Sequence, residues 1–377
     1  MKERLRRSAL RVGAMAWKET LHILRDPRTL LLALAMPVFL LLLFGYGVSF
    51  DVDRIPLAIA DGDRTEASRA LVRAYVEPHE FEPVAAVEAE GAEALLRQGY
   101  ALGALIVPRG YARALDRGEP GGAQLLVDGA DGVIANQVLA KSDATALAAG
   151  QSRLAAAAGA FAPPVSVSVW TRYNPEARSA IFMVPGLSAF LLAVGAVLLT
   201  ALTIAGEWER GSMEQLFASP LGRLEIVAGK LAPYLVLGEL QFLLVLSLGT
   251  FAFDVPIRGH GPLLFAFGLL FLLGMLGQGL LISVLAKSQL VATQAGALSS
   301  LLPSLLLSGL LFPVENMPAP LRALSALIPA RYLVRALRGI LLKGAGLDVL
   351  WPDLVAQVIF AAVVVALATA RFRRRLA

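Results

Sequence analysis

The chain has 377 residues, 57% of them hydrophobic and only 17% charged, with a mean hydropathy of +0.67. That is too apolar for an ordinary soluble globule and implies several membrane spans. The net charge of +5 is placed at the two ends, which fits the positive-inside rule better than a nucleic-acid surface, and zero cysteines exclude disulfides, thiolate metal sites and cysteine nucleophiles.

The first 28 residues carry Lys2, Arg4, Arg6, Arg7, Arg11, Lys18, Arg25 and Arg28. Leu10, Ala14, Trp17, Leu21 and Leu24 fall at alternating steps of four and three, which predicts a basic amphipathic helix suited to the inner membrane surface. The apolar run over 29–50 begins too late and lasts too long for a cleaved signal, so it reads as a retained first span. Asp26 can cap its helix and Pro27 fits the first helical position. Pro37 lies inside, as a packing kink or a hinge.

Residues 51–178 change character. IPLAIA, FEPVAAV, ALGALIV, AQLLVD and VSVSVW read as strands. TEASRALVRAYV, AEGAEALLRQG, RGYARALDRG and an alanine-rich stretch from Gly132 to Gly159 read as the helices between them. The alternation predicts an α/β domain with a partly parallel sheet. It holds no nucleophile–base pattern, and Asp61-Gly62-Asp63 lacks the rest of a calcium loop and reads as a strand-to-helix turn.

Further apolar runs lie at 180–205, 230–253, 262–286, 289–312 and 350–370, each long enough to cross a bilayer of roughly 30 Å at ~1.5 Å per residue. The C-terminal RFRRRLA matches the basic N-terminus, so both ends are expected in the cytoplasm, which requires an even number of spans. Six satisfies this, and places 206–229 inside and 51–178 outside. Residues 313–349 should then be external, yet carry Arg322, Arg331, Arg335, Arg338 and Lys343. This amphipathic stretch, broken by Pro329, predicts a re-entrant hairpin over about 318–342 with its basic ends at the lipid headgroups; the alternative is a cytoplasmic loop, which upsets the parity. The predicted architecture is therefore a polytopic α-helical membrane protein with six transmembrane helices. An α/β extracytoplasmic domain is inserted between the first and second spans. Its parts are an arm (1–28), a first span (29–50), the external domain (51–178) and spans two to six (179–377).

The phosphate-cradling loop G-x-x-x-x-G-K-[ST] is absent; Gly229-Lys230 is followed by Leu231. No catalytic residue and no metal site is assigned, and any nucleotide hydrolysis is expected on a partner. Between the second and third spans lies GEWERGSMEQLFASP, Gly206–Pro220. Ser212 and Gln215 have capping-box spacing, Glu214 suits the first turn, Met213, Leu216 and Phe217 share a face, and Pro220 stops the helix. Glu207, Glu209, Arg210 and Gly211 precede it. An interfacial turn and a helix made for a partner both fit these features. In the third span, Glu239 lies about 14 Å beyond Lys230, near mid-bilayer, with Gln241 beside it. An ionisable group there is either structural glue between helices or part of a transport path.

GEWERGSMEQLFASP resembles the cytoplasmic loop of type-2 ABC transporter permeases through Glu207, Glu209, Gly211, Ser212, Glu214, Gln215, Leu216, Ser219 and Pro220. KETLHILRDPRTLLLALAMP is similar to that family's approach to its first span, and IPLAIADGDRTEASRALV to the start of its external domain. YNPEARSAIFMVPGL resembles the approach to the second span, and LLSGLLFPVENMPAPLRALSALIPARYLVRALRGILLKG the stretch after the fifth. The likeness covers nearly the whole chain in order. It is closest to the subgroup with a large external domain, associated with multidrug-type export.

The resemblance implies the permease subunit of an ATP-driven exporter in the bacterial inner membrane. It implies a coupling helix, with Glu207, Glu209, Arg210, Gly211, Ser212, Met213, Glu214, Gln215, Leu216 and Phe217 at the groove of a separate ABC ATPase subunit. ATP and Mg are expected on that partner and no cofactor in this chain. A second contact is implied at the arm, at Trp17, Lys18, Glu19 and Arg25. A second permease chain, identical or different, is implied, with Glu239 and Gln241 as candidates for the path and the hairpin helping to close the outer exit. The apolar spans lean toward drug-like, amphipathic or lipid-like cargo. A periplasmic adaptor is a further candidate partner, and no nucleic acid is expected. The rival reading is a membrane-anchored envelope sensor or scaffold whose external α/β domain binds a ligand or partner. The short cytoplasmic loops offer that reading no signalling domain.

Overall fold

No proline precedes Pro27, and helix α1 (Lys2–Arg25) runs up to it unbroken. The structure is a computed structural model describing residues 2–47, 54–119, 121–130, 132–158, 173–174, 178–286 and 288–372. It divides into two units, one of 1–48 with 171–377 and one of 49–170. In the first, α2 begins at Pro27 and passes through a π turn (Leu31–Ala35) into Met36–Gly47. The turn sits just before Pro37, which has no N–H to give the ladder; Met36 N–H donates to Leu31 O, five residues back.

The second unit is β1 (Ile55–Asp61), α3 (Glu66–Val76), β2 (Phe81–Ala86), α4 (Ala89–Arg97), β3 (Gly103–Val107), α5 (Tyr111–Asp116), β4 (Gln124–Val127) and α6 (Gly132–Ala158). The sheet order is β2-β1-β3-β4, with β1 parallel to both neighbours and β4 antiparallel to β3. Strand alternation sorts the core. Ile55, Leu57 and Ile59 pack with Tyr75, Phe81, Leu105 and Val138 on one face, while Ala58 and Ala60 meet Ala92, Ala101 and Ala104 on the other. The predicted strand VSVSVW lies outside the described residues.

The acidic pair after β1 serves the turn. Asp61 accepts from the N–H groups of Asp63 (3.1 Å) and Arg64 (2.9 Å) and from the Ser68 hydroxyl (2.7 Å). Asp63 accepts from Gly110 N–H (2.7 Å), Ala112 N–H (2.9 Å) and the Thr65 hydroxyl (2.8 Å). The Ala112 N–H is the largest of the influences that hold the Asp63 carboxyl below the usual aspartate range. A value depressed by folding gives stability that is present above the unfolded aspartate pKa of ~3.9 and lost as pH falls through the folded value. The protection of amides over 110–116, taken relative to the intrinsic exchange rate at each pH, is therefore expected to fall below about pH 4, and less so in Asp63→Asn. Identical pH profiles for the two proteins would refute this.

The first unit continues with α7 (Ser179–Glu209), α8 (Met213–Ala218), α9 (Arg223–Phe253), α10 (Gly261–Ala286) and α11 (Gln289–Leu306). It ends with α12 (Ala319–Ser325), α13 (Pro329–Arg338) with a following π turn (Gly339–Lys343), and α14 (Leu347–Arg371). By length and composition, α7, α9, α10 and α14 suffice to cross a membrane. The other two predicted spans are built differently: α2 is interrupted by its π turn, and α11 stops at Leu306 instead of 312. Leu307 N–H donates to Pro303 O, and the chain bends from there. The loop expected over 206–229 is also shorter. Gly206 stays helical, and the first residue with a left-handed backbone after the second apolar run is Gly211 (φ +71°), so Glu207 and Glu209 form the last turn of α7.

Helices α7 and α10 are locked together by small polar groups. The Thr200 hydroxyl donates to Leu276 O (2.8 Å), and Ser283 Oγ accepts from the N–H groups of Ile204 (3.0 Å) and Ala205 (2.9 Å). Gly279 sits at the crossing, where an added Cβ would run into Thr200 Oγ1 and the Val197 carbonyl. Gly279→Ala is expected to cost about 1–3 kcal/mol through overpacking, read as a lowered thermal midpoint in detergent; an unchanged midpoint would refute the close crossing.

Two of the hairpin arginines bond to neighbouring backbone and side-chain groups, while Arg322 and Arg335 are exposed. Arg338 turns inward, donating to Phe182 O (3.3 Å), Gly309 O (2.8 Å) and Leu310 O (3.4 Å), with its guanidinium 3.6 Å from the Phe182 ring centre. Arg331 donates to Arg322 O and Ser325 Oγ. Open carbonyls at helix ends and turns are strong acceptors, and a guanidinium fork can satisfy several at once.

Candidate functional site

One helical face of α1 carries Met15, Glu19 and Ile23, all buried, and packs on α9 with Met15 against Gly229. The apolar stripe predicted on α1 lies elsewhere: Leu10, Ala14, Trp17 and Leu24 are exposed. Packing thus buries the charged residue Glu19 and leaves the tryptophan outside.

Glu19 is buried because it meets a cation. Lys230 Nζ, whose side chain is 2% exposed, lies 2.9 Å from Glu19 Oε1 and 3.1 Å from Glu207 Oε1. Lys18, 57% exposed, lies 3.1 Å from the same Glu207 oxygen and 3.9 Å from Glu19. Two carboxylates and two ammonium groups form a neutral cluster, with Lys230 as its buried centre. The cluster fastens three elements, α1, the end of α7 and the first turns of α9. A fully desolvated group of this kind persists only because each charge has a partner. A further pair, Arg11 with Glu225 (3.7 Å), joins α1 to the start of α9.

The structure distributes the remaining predicted residues as follows. Glu209 accepts from Gln289 N–H (2.8 Å) and from the Gln289 amide, capping α11. Ser212 Oγ donates to Glu207 O (3.4 Å), and Met213 is buried. Arg210, Gly211 and Glu214 are exposed, as are Trp17 and Arg25. Gln215, Leu216 and Phe217 lie within α8, but their side chains fall outside the described ones. The arm and the loop therefore meet through Lys18, Glu19 and Glu207. Glu239 and Gln241 are not part of this cluster. Both are buried in α9, and none of their side-chain oxygens or nitrogens has a hydrogen-bond partner among the described residues.

Sequence reasoning passed over Lys230, treating it as the margin of a span and as a failed phosphate loop. The available signal was a lysine inside a continuous helical pattern, about two turns after Arg223. Asp353 and Gln357 were also missed; both are buried in α14.

A mostly helical chain with several apolar helices of spanning length, held at one end by an ion cluster, is a membrane-embedded subunit. The chain belongs to the ABC-2 family: the family described as ABC-2 family transporter protein matches residues 28–370. Over 367 residues it is 33% identical to the protein named "Probable multidrug ABC transporter permease YbhS" of Escherichia coli, covering 97% of each chain. It is 30% identical over 374 residues to YbhR, which carries the same description in that organism, covering 97% of this chain and 99% of the relative. It is 27% identical over 335 residues to "Inner membrane transport permease YhhJ" of Escherichia coli, covering 85% of each. The chain is an ABC transporter permease, the membrane subunit, with ATP hydrolysis on a separate subunit.

Proposed function

We propose that this permease works as a pair of chains with two ABC ATPase subunits and exports drug-like, amphipathic or lipid-like compounds across a bacterial inner membrane. In this reading the chain crosses six times, with both termini and α8 in the cytoplasm and the 51–178 unit outside, where it offers a surface to a periplasmic adaptor. ATP and Mg bind the partner. The observation that carries the reading is the ion cluster next to α8. It makes α1, α7 and α9 move together, so that a push on α8 or on the arm tilts two spanning helices rather than bending a loop. Arg210 and Glu214, exposed on either side of Gly211, are open to a partner, while Glu207 is buried in the cluster and Glu209 caps α11 at the surface.

The experiment is co-purification with a co-expressed ABC ATPase subunit. Stable association and a change in ATP turnover on adding the permease are expected. Glu214→Arg, an exposed change with no internal bond to lose among the described residues, is expected to weaken both and leave the thermal midpoint unchanged. Absence of any association by the unaltered chain would refute the reading.

A further inference from the structure

The buried stripe of α14 consists of Leu350, Asp353, Gln357, Ala361, Val364 and Ala368, packed toward α10 and α13. Two of its members are polar, and the coupling cluster does not use them. The Asp353 side chain is 2% exposed, and its Oδ2 lies 3.6 Å from Nε of Arg335 on α13, whose side chain is 62% exposed. At that length the contact is an ion pair but not a hydrogen bond. Asp353 Oδ2 has no hydrogen-bond partner among the described residues, and neither does the Gln357 amide oxygen or nitrogen. Helix α10 brings no titratable side chain to this face, and α13 adds, besides Arg335, the more distant charge of Arg331, which is itself bonded to Arg322 O and Ser325 Oγ.

Buried polar groups left open one turn apart call for an explanation. Positions i and i+4 are neighbours on a helix face, with roughly 5–6 Å between Cβ atoms, so a rotamer change brings the Gln357 amide N–H within reach of Asp353. Asp353 thus has two donors in competition. One is on the hairpin, the other on its own helix. The first bond is weak because Arg335 stays hydrated and loses little when it leaves. Without the second donor, the carboxylate would be stranded on release, and that cost would hold the contact shut.

We propose that Asp353 is a two-position latch on the α12–α13 hairpin. Paired with Arg335, it holds the hairpin against α14. Paired with Gln357, it lets the hairpin swing about its far end, where Arg338 remains pinned to three carbonyls. Arg335 and Gln357 are positioning residues acting through Asp353. The purpose of the swing, widening the outer end of the path, rests on the permease reading above; the latch itself does not.

The test uses the full chain, which contains no cysteine to remove. Spin labels are placed at Leu327→Cys, in the turn between α12 and α13, and at Trp351→Cys in the first turns of α14, both exposed positions. Distances are measured by pulsed EPR in lipid nanodiscs without ATPase. Arg335→Gln, a change at an exposed side chain, is expected to raise the long-distance population about two- to fivefold, the scale of losing one partly exposed ion pair. Gln357→Leu, which fills the same site with an apolar side chain, is expected to lower it. A purely structural pair would loosen with either change. An unchanged distribution in Arg335→Gln, or a shift of the same sign in both variants, would overturn the latch. Because no ATPase is present, failure of ATPase association would sink the permease reading and leave this result intact.

Discussion

Lys230→Met is expected to destabilise the protein by about 3–5 kcal/mol, the cost of stranding buried charge. Glu19 and Glu207 would be left side by side, both buried, with only the half-exposed Lys18 near them. Thermal unfolding of the purified chain measures this. Lys18→Ala removes the exposed cation of the same cluster and should cost no more than about 1 kcal/mol. The contrast isolates burial from charge count. Neutralising the set with Lys230→Met, Glu19→Gln and Glu207→Gln together should recover much of the loss, since no uncompensated charge remains. Coupling to ATP turnover, as proposed above, should still fail in the triple variant, because α7 would no longer be fastened to α1 and α9 by the cluster and among the described residues only the Arg11–Glu225 ion pair would join α1 to α9. A Lys230→Met protein with an unaltered midpoint would show that the ammonium group is not the centre of the cluster.

Glu239→Leu is expected to act in opposite directions on stability and on transport. Both Glu239 oxygens are buried without a hydrogen-bond partner among the described residues. A glue residue bonds to a neighbouring helix, and Glu239 makes no such bond among the described residues. Removing an unpaired buried polar group should raise stability by about 1–3 kcal/mol. In the export function proposed above Glu239 is a candidate for the path, and on that reading transport of cationic amphiphiles is expected to be lost. Dye efflux from cells together with the thermal midpoint gives both readings. A stabilised variant with full efflux would make Glu239 a passive relic of the span. A destabilised one would reveal a partner and restore the glue reading.

The elements of the fold were legible wherever one periodicity ruled. The apolar runs at 180–205, 230–253, 262–286 and 350–370 lie within helices α7, α9, α10 and α14, and IPLAIA and ALGALIV fall on adjacent parallel strands. Boundaries were less legible, because a hydropathy run ends where charge begins, whereas a helix ends where its hydrogen bonds do. Glu207 and Glu209 were assigned to a loop for that reason. The candidate site was half legible. The motif marked Glu207, and the arm marked Lys18 and Glu19, yet their meeting depends on Lys230, 211 residues from Glu19. Pairing across such distances leaves no local trace. Asp353 was hidden for a related reason: beside Trp351-Pro352 at a helix start it looks like a surface acid, and only packing by α13 reveals it as buried.

The lock between α7 and α10 has a mechanical consequence. Thr200, Ile204 and Ala205 fix α7 at one level through Leu276 and Ser283. Measured along the helix from residue 203, Glu207 lies about 6 Å to one side and Phe182 about 32 Å to the other, at ~1.5 Å per residue. Held there, the helix is a lever with arms in a ratio of roughly one to five, with Pro185 near the tip of the long arm. Sub-ångström displacement at the ion cluster becomes ångströms at the end gripped by Arg338. The short arm lies where force would be applied, and the long arm where an opening would be needed.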